Sequence, residues 1–181
     1  ITLSNPSKVI TTAANPAVTL SNNTGATINF TGGGLAISTT SGAGFSAGGG
    51  GTITVQGNGN TITSGSGTAL NVANTTIGAS GLTFQSISAN GGANGILLNN
   101  TGASGGLTVT GTGTTDGTGG TIQNTTNRGA SFISASNITL NNMNFTNAGT
   151  SDLDADNSGL STGDNLATNA AIHLQSVTNA T

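Results

Sequence analysis

A four-residue phrase returns along this chain at nearly even intervals, and that recurrence constrains the fold more than any other feature. It reads TINF at Thr27 to Phe30, TITV at Thr52 to Val55, GLTF at Gly81 to Phe84, GLTV at Gly106 to Val109 and NITL at Asn137 to Leu140. The first apolar residues of the copies, Ile28, Ile53, Leu82, Leu107 and Ile138, are spaced 25, 29, 25 and 31 residues apart. Inside each copy the apolar residues stand two apart, as in Ile28 with Phe30 or Leu107 with Val109, which is the alternation of a strand with one face inward.

A second phrase with the same alternation lies between copies of the first. It comprises Val18/Leu20, Phe45/Ala47, Leu70/Val72, Ile96/Leu98, Ala130/Phe132 and Ile172/Leu174, and its last two intervals lengthen to 34 and 42 residues. A third phrase follows the first closely, at Leu35/Ile37, Ile62, Ile87, Ile122 and Met143/Phe145. Stretches rich in Gly and Asn, such as QGNGN and SANGGANG, separate the phrases, and these residues accept the positive φ that tight corners require.

Three short strands per lap describe a parallel β-solenoid, in which one coil cannot bury its apolar side alone and stacking supplies the core. The expected fold is all-β: a single-stranded parallel β-helix with three short strands per coil, about 25 residues per coil and about six coils. At roughly 4.8 Å per coil such a stack rises about 29 Å. Helices are excluded because apolar residues do not recur at i, i+3, i+4 and i+7, and because Gly and β-branched residues dominate. A β-sandwich also uses short alternating strands, but nothing in it requires every third strand to repeat a phrase. One solenoid segment over residues 1–181 is expected, carrying an inserted acidic loop at 147–169 and belonging to a longer repeat protein, since the pattern stops mid-phrase at both ends.

Composition narrows the function classes. Only Lys8 and Arg128 are cationic and the net charge is −3, so the electrostatic footprint of a nucleic-acid binder is missing. No run of about 18 apolar residues is present that would span a bilayer as a helix. Disorder is disfavoured because only 4% of residues are charged while 33% are hydrophobic. Collagen is excluded by the absence of a strict Gly-X-Y period and by the scarcity of Pro, of which there are only 2.

The phrases NITLNNMNF (Asn137 to Phe145) and ANGILLNN (Ala93 to Asn100) resemble the right-handed parallel β-helix regions of large bacterial secreted or surface proteins, such as autotransporter passengers and filamentous adhesins. The resemblance runs from about Val18 to Leu174. It implies right-handed coiling, in line with the general crossover preference, and a secreted or bacterial cell-surface setting. It does not separate adhesins from pectate-lyase-like enzymes or phage tailspikes, which share the architecture.

Four carboxylates of the stretch SDLDADNSGLSTGDN, Asp152, Asp154, Asp156 and Asp164, form the candidate metal site, with Ca²⁺ as the one cofactor that hard oxygen ligands in a loop would suit. The stretch departs from the helix-loop-helix Ca²⁺ consensus, because Gly stands at the eighth loop position and no Glu at the twelfth, and a solvated acidic loop is its plain alternative. The solenoid register brings Arg128 to the same corner one coil earlier, where it would contact an acidic or hydroxylated sugar or form a surface ion pair. His173 lies between Ile172 and Leu174 and is expected to face outward, with no nucleophile beside it and no second His for a metal.

Thr54, Thr83, Thr108 and Thr139 hold the outward position of the first phrase in successive coils. Such a column would order water on an ice-binding solenoid, but paired Thr-x-Thr does not recur at one face, and a Thr column is also good strand chemistry. Asn-x-Ser/Thr sequons arise readily in so Asn- and Thr-rich a chain, and Asn ladders along the corners account for those residues. The chain is therefore expected to be a structural or adhesive module and not an enzyme. Its expected partners are further copies docking end to end and host or cell-surface glycans; the alternative is a polysaccharide-binding or polysaccharide-cleaving β-helix protein.

Overall fold

A computed structural model describes residues 1–149 and 170–181. Its strands in chain order are β1 (Thr2–Leu3), β2 (Lys8–Thr12), β3 (Val18–Ser21), β4 (Thr27–Phe30), β5 (Leu35–Thr39), β6 (Phe45–Gly48), β7 (Thr52–Val55), β8 (Thr61–Ser64), β9 (Leu70–Ala73) and β10 (Thr76–Phe84). They continue as β11 (Ser86–Asn90), β12 (Ile96–Asn99), β13 (Leu107–Val109), β14 (Thr121–Gln123), β15 (Ala130–Ile133), β16 (Ser136–Leu140), β17 (Asn144–Thr146), β18 (Ile172–Gln175) and β19 (Thr178–Ala180). Every third strand joins the same sheet: β1-β4-β7-β10-β13-β16-β19 form the first sheet, β2-β5-β8-β11-β14-β17 the second and β3-β6-β9-β12-β15-β18 the third. All the pairings are parallel. The result is the expected right-handed β-solenoid of about six coils, at about 26 residues per turn. Coil 1 runs β1–β3, coil 2 β4–β6, and so on to coil 6 with β16–β18.

The core follows from alternation. In β5, for example, Leu35 and Ile37 are buried while Ala36 and Ser38 face out, and Ile37 stacks on Ile10 below and Ile62 above. Phe45, Phe84 and Phe132 are fully enclosed, and Phe30 meets Phe45 edge to face with ring centroids 5.5 Å apart. Each large side chain buried this way contributes about 1.5–3 kcal/mol. In the end layers the same inward positions lose their cover on one side, so Ile172 and Leu174 are 43% and 53% exposed.

Two stretches depart from the spacing read in the sequence. Ile53 stacks on Ile77, and Leu82 stacks on Val55, so Leu82 is not the partner of Ile53. Residues 78–81 bulge out of β10, and coil 4 compensates at the next corner, where Gln85 alone joins β10 to β11 while coil 3 spends Gln56 to Asn60 on the same turn. Counting from phrase to phrase could not separate an outward bulge from a corner loop, since both are built of Gly and Ser. In the second sheet Ile122 lies opposite Ala89 instead of Ile87. This two-residue slip follows the long connection 110–120, and it keeps Ile122 inward because a slip of two preserves the side-chain face.

The three corners differ in length. Between the third sheet and the first, a residue in the left-handed conformation opens the turn of every coil: Asn22, Gly49, Asn74, Asn100, Ser134 and Ser176, with φ of 56°, 75°, 51°, 55°, 47° and 53°. Asn and Gly tolerate this region best, which is why they fill four of the six positions. At the corner between the first and second sheets, Gly33 of coil 2 runs so close to coil 3 that a Cβ on it would stand 2.3 Å from the Asn58 carbonyl oxygen.

Candidate functional site

The exterior is a set of neutral hydroxyl and amide columns. On the first sheet Thr27, Thr52 and Thr76 stack in coils 2 to 4, and Thr83, Thr108 and Thr139 stack in coils 4 to 6. Thr139 extends this second column to Thr181, with the hydroxyl oxygens 3.1 Å apart. Thr54 is not in it. It stacks on Asn29, donates to Asn29 Oδ1 at 2.8 Å and accepts from Gln56 Nε2 at 2.9 Å. The bulge at 78–81 passes over it and leaves it 5% exposed. The four-Thr column expected from the sequence is thus split by the bulge, and the face lacks the flatness that a water-ordering array requires.

The second sheet carries a neutral cleft of about 490 Å³ at the edge where it turns toward the third. Thr39, Thr63, Ser64, Ser88, Thr121 and Gln123 are among its walls, spanning β5, β8, β11 and β14. Among the described residues its walls carry no charged or aromatic side chain. Neutral hydroxyls and amides would engage hydroxylated ligands by hydrogen bonds without any stacking platform. No local stretch of sequence announces it, because its walls come from four coils.

The Asn ladders are present where corners stack. Asn124 Nδ2 donates to Asn90 Oδ1 at 2.7 Å, and Asn147 Nδ2 donates to Asn124 Oδ1 at 3.1 Å. Asn100 bonds Asn74 at 3.0 Å and Asn179 bonds Asn137 at 3.1 Å in the same manner. Asn60 is a different latch. It is 1% exposed, accepts from the Leu35 N–H of coil 2 at 2.9 Å and donates to the Thr83 carbonyl of coil 4 at 3.0 Å. Its amide also reaches the Gln56 and Gly57 carbonyls of its own coil. Lys8 plays a related part at the first coil, where its ammonium donates to the carbonyls of Asn5, Thr31 and Gly33.

Arg128 precedes β15 at the corner between the second and third sheets, and its backbone N–H donates to Asn94 Oδ1 at 3.3 Å. The acidic segment enters the sequence at the equivalent corner one coil later, but Asp152, Asp154, Asp156 and Asp164 lie outside the described residues, as does all but 147–149 of the expected loop. Among the described residues no three His, Asp or Glu side chains converge on a point where a metal would sit.

His173 does acquire a serine neighbour that the sequence did not reveal. It pairs with Ser131 across β18 and β15, and Ser131 Oγ lies 3.2 Å from its Nδ1, a contact spanning 42 residues of chain. Burial, and after it the Arg128 guanidinium, holds His173 below the ordinary 6.5. Ser131 is only 1% exposed, so its hydroxyl is turned to the imidazole and withheld from solvent. The pair braces neighbouring strands.

No family model matches this chain, and neither a curated protein nor a solved structure matches it.

Proposed function

We propose that the chain is a rod-like structural module of a secreted or bacterial-surface protein, acting in adhesion, self-association or matrix formation. The observation that carries this reading is the pairing of a continuous three-sheet parallel stack with an exterior of uncharged hydroxyl and amide columns. A stack of this kind holds its width while it gains length, and such a surface is well hydrated with little electrostatic bias. Its end layers suit continuation by further coils or by a second copy. At one of them Phe132, Leu140, Ile172 and Leu174 line an apolar recess of about 280 Å³. Parallel strands can be extended there without reversing direction, and head-to-tail docking that does not close makes a filament.

Sedimentation velocity over a wide concentration range tests the self-associating part. The native chain is expected to associate with rising concentration, and Leu174→Lys is expected to abolish it; a single monomeric species throughout would overturn this part of the reading. A second reading, binding of a neutral polysaccharide, is favoured by the cleft on the second sheet. Incubation with insoluble neutral glucans and mannans, and with the anionic polymers pectin and alginate with and without Ca²⁺, separates the two. Retention on an insoluble polymer that is lost in Thr63→Val supports the second reading, and release of unsaturated products would overturn the structural one.

A further inference from the structure

Three Asn-Gly junctions lie among the described residues, at Asn58–Gly59, Asn90–Gly91 and Asn94–Gly95. An Asn followed by Gly is the local sequence most open to intramolecular attack, because the Gly nitrogen meets no side chain of its own on the way to the preceding amide carbon. Sequence alone therefore treats the three alike, while the structure separates them.

At Asn90 the amide oxygen accepts from Asn124 Nδ2 at 2.7 Å, and the Gly91 N–H donates to the Gln123 carbonyl at 3.0 Å. At Asn94 the amide oxygen accepts from the Arg128 N–H at 3.3 Å, and the Gly95 N–H donates to the Gly129 carbonyl at 2.9 Å. Both partners of the reaction are thus engaged by the next coil. Asn58 is exposed, and neither its side chain nor the Gly59 N–H has a hydrogen-bond partner among the described residues. Nothing stands within 4 Å of the place a Cβ on Gly59 would occupy, which leaves room for a ring to form. Exposure by itself does not distinguish the sites, since Asn90 is exposed as well; hydrogen bonding does.

We infer that Asn58 is a site of spontaneous deamidation in the folded protein, while Asn90 and Asn94 are protected by the coil stacked above them. The Gly59 backbone nitrogen attacks Asn58 Cγ, forming the C–N bond of a five-membered imide and expelling the side-chain nitrogen as ammonia, which carries off the amide proton. One water molecule then opens the ring at either carbonyl, giving aspartate or its isomer linked through the side chain. No oxidant or metal takes part. The product places a carboxylate on the corner that already holds the Lys8 ammonium one coil away, and the isomer adds a carbon to the backbone next to the Asn58 carbonyl, which accepts from the Gly34 N–H at 2.9 Å. The joint between coils 2 and 3 is the one that changes.

Peptide mapping after incubation in mildly alkaline buffer, run on the native chain and on the chain held unfolded in urea, tests the inference. In native buffer Asn58 is expected to convert about tenfold or more faster than Asn90 and Asn94, because reaction at those two needs local opening first. In urea the three are expected to convert at comparable rates. Incubation in heavy-oxygen water should label each product once, and Gly59→Ala should slow only the first site. Conversion at Asn90 or Asn94 that keeps pace with Asn58 in native buffer, or no conversion at Asn58, would overturn it.

Discussion

Coils 1 to 3 and coils 4 to 6 close the same corner, between the second and third sheets, with different chemistry. In the first half a hydroxyl at the end of the second-sheet strand donates to the carbonyl three residues on: Thr12 to Asn15, Thr39 to Gly42 at 2.7 Å and Ser64 to Gly67 at 2.9 Å. The hydroxyls also meet across coils, Thr39 Oγ1 and Ser64 Oγ standing 3.0 Å apart. In coil 4 the equivalent residue is Ala89, and the hydroxyl clasp ends there. From that point the corner is held from outside, by the ladder Asn90, Asn124 and Asn147. A clasp buried inside the corner fixes its length, because it needs the carbonyl three residues away. An exposed ladder needs only one Asn per coil and leaves the following residues free to differ in number. That difference bears on the 42-residue interval, whose added residues enter at this corner after β17, whereas the 34-residue interval gains most of its length at the corner between β13 and β14.

The largest effect that would break this comparison is expected at its seam. Phe84 is fully enclosed in coil 4, and Phe84→Ala should cost about 3–5 kcal/mol. Because each coil contacts only its neighbours, the loss should uncouple the halves, and urea unfolding should change from one transition to two. Next comes Asn60→Leu, which removes the latch across coils 2 to 4 and strands the Leu35 N–H; about 1–3 kcal/mol should be lost, read as a lower urea midpoint. Smaller still is the contrast between the two corner devices. Asn124 has φ 54°, so Asn124→Ala should cost about 1–2 kcal/mol and Asn124→Gly distinctly less. Ser64→Ala should cost about 0.5–1.5 kcal/mol through the lost clasp alone, with no backbone strain for a glycine to relieve. The smallest effect is a pH dependence confined to the second half. His173 is held below its ordinary 6.5, so the folded state favours the neutral ring. Its contribution is complete above 6.5 and is lost as the pH falls toward the lower folded value. Thermal melting of the native chain should weaken slightly on acidification through this window, and His173→Gln should flatten that part of the profile.

The architecture was legible because period-2 alternation and the lap length are both written in the apolar residues, and burial enforces both. The third-phrase column Ile37, Ile62 and Ile87 stacks as its spacing implied. What could not be read was register across insertions. Leu82 and Ile122 were each placed over the wrong neighbour, because the side-chain pattern reports which face a residue occupies and is silent about shifts that keep the face. The functional surface was less legible still. The Ser131–His173 pair and the cleft walls bring together residues from separate coils, and nothing in local sequence marks them.

The left-handed residue that opens the turn after the third sheet has a consequence for how such a chain can diversify. It recurs at Asn22, Gly49, Asn74, Asn100, Ser134 and Ser176, although the stretch leading on to the first-sheet strand runs from two residues at 74–75 to seven at 100–106. One dihedral angle thus sets the direction in which the chain leaves the third sheet, and the number of residues that follow can drift without moving the strands on either side.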